Sequence, residues 1–182
     1  MKKWCKRIFV VLLVLLVAAQ FVPVRPAEPA TDPKLALAAP PEVSAILEQS
    51  CFDCHSNQTR WPLYEHLAPV SWWISNHVAE GRAHLNFSIW NTYDSGRMIN
   101  KLNSIRDAVK SHWMPLSSYL WIHRGAILTP EEAKTVTSWA DATAHRLSAQ
   151  AVTAGLGSST TAAAPSTVTV APTTPGTPAP SH

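Results

Sequence analysis

The chain predicts an all-helical fold, one small domain of about a hundred residues by the usual size prior. Three observations carry that prediction. Between Pro41 and Leu147 the apolar residues recur three and four apart, with no convincing alternating run to mark a strand. Proline and capping residues punctuate the same stretch, most clearly at Thr129-Pro130-Glu131-Glu132. Both flanks have compositions that do not build a core, so the 182 residues reduce to a much shorter folded part.

Taken in order, Lys2, Lys3, Lys6 and Arg7 precede an apolar run from Ile8 to Val22 that only Gln20 interrupts. Residues 1–22 therefore read as a signal peptide or a membrane anchor. The run is long for the first and short of the about 20 residues of a comfortable span. Val17-Ala18-Ala19 offers small residues for cleavage, while Phe21 and Val22 prolong the apolar stretch. On either reading the basic end stays inside, so the domain is expected to be extracytoplasmic, in the periplasm, and anchored to the cytoplasmic membrane if the leader is retained. Cys5 precedes the run and is given no role.

Residues 23–40, rich in Pro and Ala, read as an extended linker. Pro41 opens a helix with Val43, Ile46 and Leu47 on one face, running into Cys51. Ser56 to Ala68 is irregular, with prolines beside aromatics. A second helix starts at Pro69 and aligns Val70, Trp73, Ile74, His77 and Val78. A third spans about Ser95 to Lys110, with Met98, Leu102, Ile105 and Val109 in line. The last follows Thr129 and presents Ala133, Val136, Trp139 or Ala140, and Leu147, closing a domain over 41–147. From Ser148 the chain is mostly Ala, Thr, Ser, Pro and Gly with no charged side chain before His182, and residues 148–182 are expected to form a disordered tail.

Cys51-Phe52-Asp53-Cys54-His55 is a C-x-x-C-H sequence, the signature of covalent c-type haem attachment. Two intervening residues let one turn present both sulfurs to a single porphyrin edge, where they add across the vinyl groups. His55 follows with no slack and offers a ring nitrogen to iron. Half of a zinc site, a redox disulfide and a structural bridge are the competing readings. Zinc needs two further ligands. Cys5 is too distant, which leaves His66, His77 or His84. Thioredoxin-like chemistry needs a βαβ setting that the neighbouring sequence does not offer. Export agrees with haem, because bacteria assemble haem c outside the cytoplasm. One covalently bound haem c is the expected cofactor. The formal charge of +3 sits largely at the amino end, so no nucleic-acid footprint is expected.

Around the motif the agreement extends further. Cys51 through Asn57, Thr59-Arg60-Trp61-Pro62, Ala68-Pro69-Val70-Ser71-Trp72, Glu80-Gly81-Arg82, His84 through Ser88, Trp90, Met114-Pro115-Leu116, Ser118-Tyr119 and Leu128-Thr129 together resemble the bacterial haem-binding domain family related to cytochrome c. The resemblance covers about residues 41–145 and implies a small cytochrome c-like helical domain around one haem. In small cytochromes c a helix lies before or around the attachment site and a terminal helix packs across it. Ile89 departs from the polar or acidic residue expected there. His112-Trp113 replaces a small or acidic pair and sets another imidazole beside the expected ligand.

His55 is the proximal ligand. Met114 is the distal candidate: it follows a helix, precedes Pro115 and the terminal helix, and occupies a position where small cytochromes c commonly supply a thioether sulfur. Such a soft ligand favours ferrous iron and raises the potential relative to two histidines. Met side chains are more often core filler, and Met98 is read that way. His77 is the alternative distal ligand, although a His on an apolar helix face is more often a hydrogen-bonded core residue; His112 follows. His66, His84, His123 and His145 read as loop, surface or capping residues. Arg60 and Trp61 are candidates to hold a haem propionate or pack on the ring, against an ordinary solvated cation for Arg60, and Arg82 has a weaker claim. All eight tryptophans except Trp4 fall in the folded part, as large flat side chains around a porphyrin would.

The expectation is an electron carrier rather than a catalyst, with membrane or periplasmic redox proteins as partners and residues 8–22 as the membrane contact. The alternatives are a peroxidase or a gas or redox sensor with an open or weakly ligated distal site, where His77 or His112 would act as acid and base, and an accessory haem subunit of a larger oxidoreductase. A single haem motif counts against a stand-alone peroxidase.

Overall fold

Helices make up the regular structure of the computed structural model, which describes residues 2–22 and 24–159. In chain order they are α1 (Lys2–Ala19), α2 (Pro41–Ser50), α3 (Phe52–His55), α4 (Val70–His84), α5 (Ser95–Lys110), α6 (Ser117–Leu120) and α7 (Pro130–Ser159), with 3₁₀ turns at Leu63–His66, Phe87–Thr92 and Arg124–Ala126.

The core forms where the helical periodicities meet. Val43, Ile46 and Leu47 of α2, Leu102, Ile105 and Val109 of α5, and Val136, Ala140 and Ala144 of α7 bury together with Phe87 and Trp90. Each large aliphatic among them contributes about 1.5–3 kcal/mol on leaving water. The small side chains of Ala140 and Ala144 let α7 lie close along α5, and this pair forms the largest interface in the fold. Met98 packs against this cluster, as the sequence implies. At the rim of the seam Arg106 bonds Asp107 at 2.8 Å and Asp141 at 2.9 Å.

Helix ends follow their chemistry. Asp94 accepts from the Arg97 amide at 2.9 Å and starts α5. Thr129 and Glu132 bond reciprocally, each accepting the other's amide, at 3.2 and 2.8 Å. α5 ends in a Schellman turn: the Trp113 amide reaches Ala108 O and the His112 amide reaches Val109 O. The residue turned into the left-handed region there is His112, φ 57°, where glycine would be relaxed. His112 is thereby held on the surface as a helix terminator.

Two expectations need correction. The stretch read as linker is pinned to the domain. Leu37 N donates to Phe87 O at 2.8 Å and Asn91 N to Leu35 O at 2.9 Å. Nearer α1, Arg25 pairs with Glu65 and lies over Trp61, Glu28 accepts from Trp61 Nε1, and Arg82 donates to Ala27 O. Side-chain composition reads as linker, but these contacts draw largely on backbone groups that composition does not reveal. The second correction concerns the tail expected from Ser148. Helix α7 continues through it to Ser159, because its Ala-rich start favours the helix that already leads into it. The rest of that expected tail, residues 160–182, falls outside the described residues. Among the described residues no helix is long and apolar enough to cross a membrane.

Candidate haem-attachment site

Cys51 closes α2, and Phe52 through His55 form the single turn α3, so the motif sits where two helices meet. α4 lies directly against it. A Cβ on Gly81 would stand 2.6 Å from Cys54 O, so only glycine allows this approach. The close contact brings the last turn of α4 to the imidazole of His55. Its Nδ1 stands 3.0 Å from both Gly81 O and Leu85 O, and donates a shared hydrogen bond to the carbonyl end of the helix. Its flank packs against Phe87 at 6.4 Å, and Phe87 stacks on Phe52 at 5.3 Å.

Burial holds the His55 pKa below its ordinary value, against the two carbonyl bonds that favour the charged ring, with smaller like-charge contributions from His84 and Lys101. The ring is therefore neutral, with its proton on Nδ1 and the Nε2 lone pair uncommitted. Metal-ligating histidines characteristically have their second nitrogen tied in this way. Burial also pushes the Cys51 thiol up to about 12, with Cys54 adding to it. Cys54 is pushed up to about 11 by burial and then by Asp53, against the pull of Arg82. Both rest as neutral thiols and neither is in a disulfide.

A polar frame holds the turn. Ser56 Oγ donates to Phe52 O, Thr59 Oγ1 to Asp53 O, and Asn57 N to Ser88 Oγ, at 2.7–2.9 Å. Asn86 bridges Asn57 and the Ser88 amide. Arg82 donates to Ser56 O at 2.8 Å and to Thr59 Oγ1 at 2.9 Å. With Ala27 and Glu28 also among its partners, Arg82 is a structural tie. Arg60 is paired with Asp53 at 3.0 Å, and Trp61 gives its indole proton to the Glu28 carboxylate. Both still line the neighbouring cleft, Trp61 half-buried and Arg60 exposed while bonded to Asp53.

That cleft runs between α4 and α6 and has a cavity volume of about 110 Å³, smaller than the about 300–1,000 Å³ usual for small-molecule and cofactor sites. Its lining is predominantly apolar, with Cys54, Trp61, Val70, Trp73, Ile74, Val78, Leu116 and Ile122 in it. Trp73 is 49 % exposed and Ile122 64 %. Large apolar side chains turned to solvent around a concavity mark a ligand or interaction surface. The donor set fits a covalently attached haem: two neutral thiols, an imidazole with a bare Nε2, and an aromatic cleft reached by one of the thiols.

His77 lines the cleft, its Nδ1 donating to Trp73 O at 2.9 Å and its ring 4.5 Å from that indole. Met114 does not line it. This residue is half-buried in the turn before α6, two residues ahead of the cleft-lining Leu116. Cys51 and His55 are half-buried beside the core rather than in the cleft wall. His66, His84 and His145 are exposed, and among the described residues no three His, Cys, Asp or Glu side chains cluster as a metal-ion site.

A comparison with protein families matches a haem-binding domain over residues 14–142, well over half of the chain. The protein belongs to the haem-binding domain family. No curated protein and no solved structure matches it. The family assignment establishes haem binding, and the match begins inside α1 and includes the pinned segment.

Within this haem-binding domain the sequence missed one group. Tyr119 donates to Asp53 at 2.7 Å and stacks on His123 at 4.1 Å. His123 is a half-buried cleft residue rather than a surface one, with Nδ1 donating to Tyr119 O at 3.1 Å and Nε2 3.4 Å from Tyr64 Oη. The available signal was the spacing of Tyr119 and His123, one helical turn apart on one face.

Proposed function

We propose that the protein is a monohaem c-type cytochrome that carries electrons on the outer side of the cytoplasmic membrane. The observation that carries this reading is His55, neutral and locked through Nδ1 onto the end of α4, one residue from a cysteine that opens on an apolar cleft. In this reading Cys51 and Cys54 would carry the thioether bonds, and His55 together with Met114, or His77 as the alternative, would hold the iron. Bound in this way, haem c supplies a one-electron couple between ferrous and ferric iron. The protein's own part is to seat it against Trp61, Trp73, Ile74 and Ile122, to exclude water, and to leave an edge for a membrane or periplasmic redox protein. The basic end and apolar run of α1 support export and retention at the membrane.

A second reading rests on one observation. His77 and His123 line the cleft and Met114 does not, which favours a peroxidase or a gas or redox sensor with a weakly ligated distal side. Visible spectra of wild type, Met114→Ala and His77→Ala, expressed with c-type maturation machinery, decide between the two. The carrier requires a low-spin wild type with a sulfur-to-iron charge-transfer band that Met114→Ala abolishes. A high-spin wild type that responds to carbon monoxide or peroxide overturns the carrier and supports the second reading. A low-spin spectrum unchanged in Met114→Ala but lost in His77→Ala moves the distal bond to His77.

A further inference from the structure

The residue between the two attachment cysteines that nothing above puts to use is Asp53. It is buried, 8 % exposed, and carries a carboxylate. One oxygen accepts from the Arg60 amide at 3.2 Å and from Arg60 Nε at 3.0 Å. The other accepts from Tyr119 Oη at 2.7 Å, a well-formed O–H···O hydrogen bond. Burial, the hydrogen bond and the nearby Asp53 charge, in that order, push the phenol above its ordinary range, so it remains the donor. Stacking on His123 and the His123 bond to Tyr119 O hold the phenol ring in its plane.

Arg60 lies seven residues from Asp53 and serves the local turn. Tyr119 lies 66 residues away and belongs to α6. The segment leading into α6 has two fixed ends. At one, the amides of Trp113 and Met114 both donate to Ala108 O, at 3.0 and 3.2 Å, and tie it to the end of α5. At the other, Tyr119 ties it to the attachment turn. Between the two ties runs a short stretch stiffened by Pro115.

We propose that the Tyr119–Asp53 hydrogen bond is a clip that holds the Met114 segment against the Cys51–His55 turn and thereby sets how firmly Met114 would hold the haem iron. This rests on the reading of a His55/Met114-ligated haem c. Tyr119 is a positioning residue, acting through Met114. Without the clip the attachment itself survives, because thioether bonds are covalent, while the segment bearing the weaker ligand gains freedom to swing away.

The test uses the full-length, haem-loaded protein as wild type, Tyr119→Phe and Asp53→Asn, with Thr129→Ala as a control that weakens the distant cap of α7. Three quantities are read: covalent haem content by pyridine haemochrome, intensity of the sulfur-to-iron band, and the Kd of the ferric protein for added imidazole. The clip requires equal haem content throughout. It requires a weakened band and imidazole binding tightened about tenfold or more in Tyr119→Phe, the equilibrium worth of a hydrogen bond to a buried charge. Asp53→Asn keeps an oxygen acceptor and is expected to fall between wild type and Tyr119→Phe. Thr129→Ala should leave the imidazole Kd unchanged. A wild-type band and imidazole Kd in Tyr119→Phe overturn the clip, and so does an equal shift in Thr129→Ala. Should Tyr119→Phe fail to accumulate, Asp53→Asn alone decides by the same two readouts. A wild type with covalent haem but no sulfur band overturns the clip together with the Met114 assignment; a wild type without covalent haem overturns the parent reading instead.

Discussion

The two halves of the domain are held together by different physics. Where α5 meets α7, stability comes from apolar burial: Leu102 and Ala140 are fully buried, and a single ion-pair cluster lies at the rim. Around the cleft, α4, α6 and the Leu63–His66 turn keep Val70, Trp73 and Ile122 turned outward. Individual hydrogen bonds on Asp53, Arg82 and His55 do the fastening there. The first half completes its core with protein alone. The second sets out apolar surface and immobilised polar groups that gain by enclosing a cofactor, as expected of a haem-binding domain.

Substitutions can break or sharpen this contrast. The largest effect is expected from Leu102→Ala, which empties a fully buried site and should cost about 3 kcal/mol in denaturant unfolding. Its counterpart Ile122→Ala should change stability by less than about 0.5 kcal/mol without haem, and a distinctly larger loss in haem-loaded protein would show the cofactor covering that side chain. Gly81→Ala thrusts a methyl at Cys54 O and should cost about 1–3 kcal/mol by overpacking. Because the displaced helix end carries both carbonyls that hold His55, from Gly81 and the capping Leu85, haem yield should fall in parallel, and an unchanged yield would refute the role given to that contact.

Removing the α7 cap with Thr129→Ala should cost about 1 kcal/mol and leave the optical spectrum untouched. His112→Gly should stabilise by about 0.5–1 kcal/mol by relieving a left-handed residue that has a side chain. A loss of stability there would mean that the imidazole makes a contact worth more than the strain. The smallest effect is the acid limb of the α5–α7 seam. Hydrogen bonds from Arg106 hold Asp107 and Asp141 below their ordinary 3.8. Carboxylates lowered in the folded state stabilise it above pH 3.8 and lose that contribution as pH falls through their lowered values. Arg106→Leu should therefore differ from wild type at pH 5 and converge with it as pH falls well below 3.8 in thermal unfolding, slightly, since these groups are exposed.

The contrast also explains what was legible in the chain. α5 spans Ser95–Lys110 as its periodicity indicates, and the Thr129 capping box is present as written, because both depend on neighbours three and four residues apart. Core members Val43, Leu47, Leu102 and Val136 follow from the same local rule. Tyr119 and Asp53 meet across 66 residues through one hydrogen bond, which leaves no periodic trace. The pairing of Arg60 with Asp53 was not legible either, because a guanidinium's partner is set by tertiary approach. The Pro/Ala segment failed for a related reason: its docking to Phe87 and Asn91 runs through main-chain groups that every residue possesses.

That docking has a mechanical consequence. Gln20, one residue past α1, accepts from the Ala68 amide at 2.9 Å, and Arg25 and Glu28 are fastened to Glu65, Trp61 and Arg82 within the next few residues. A flexible tether would give the domain a swivel; this run gives it a bracket. The bearing of the cleft relative to α1 is then fixed by the fold.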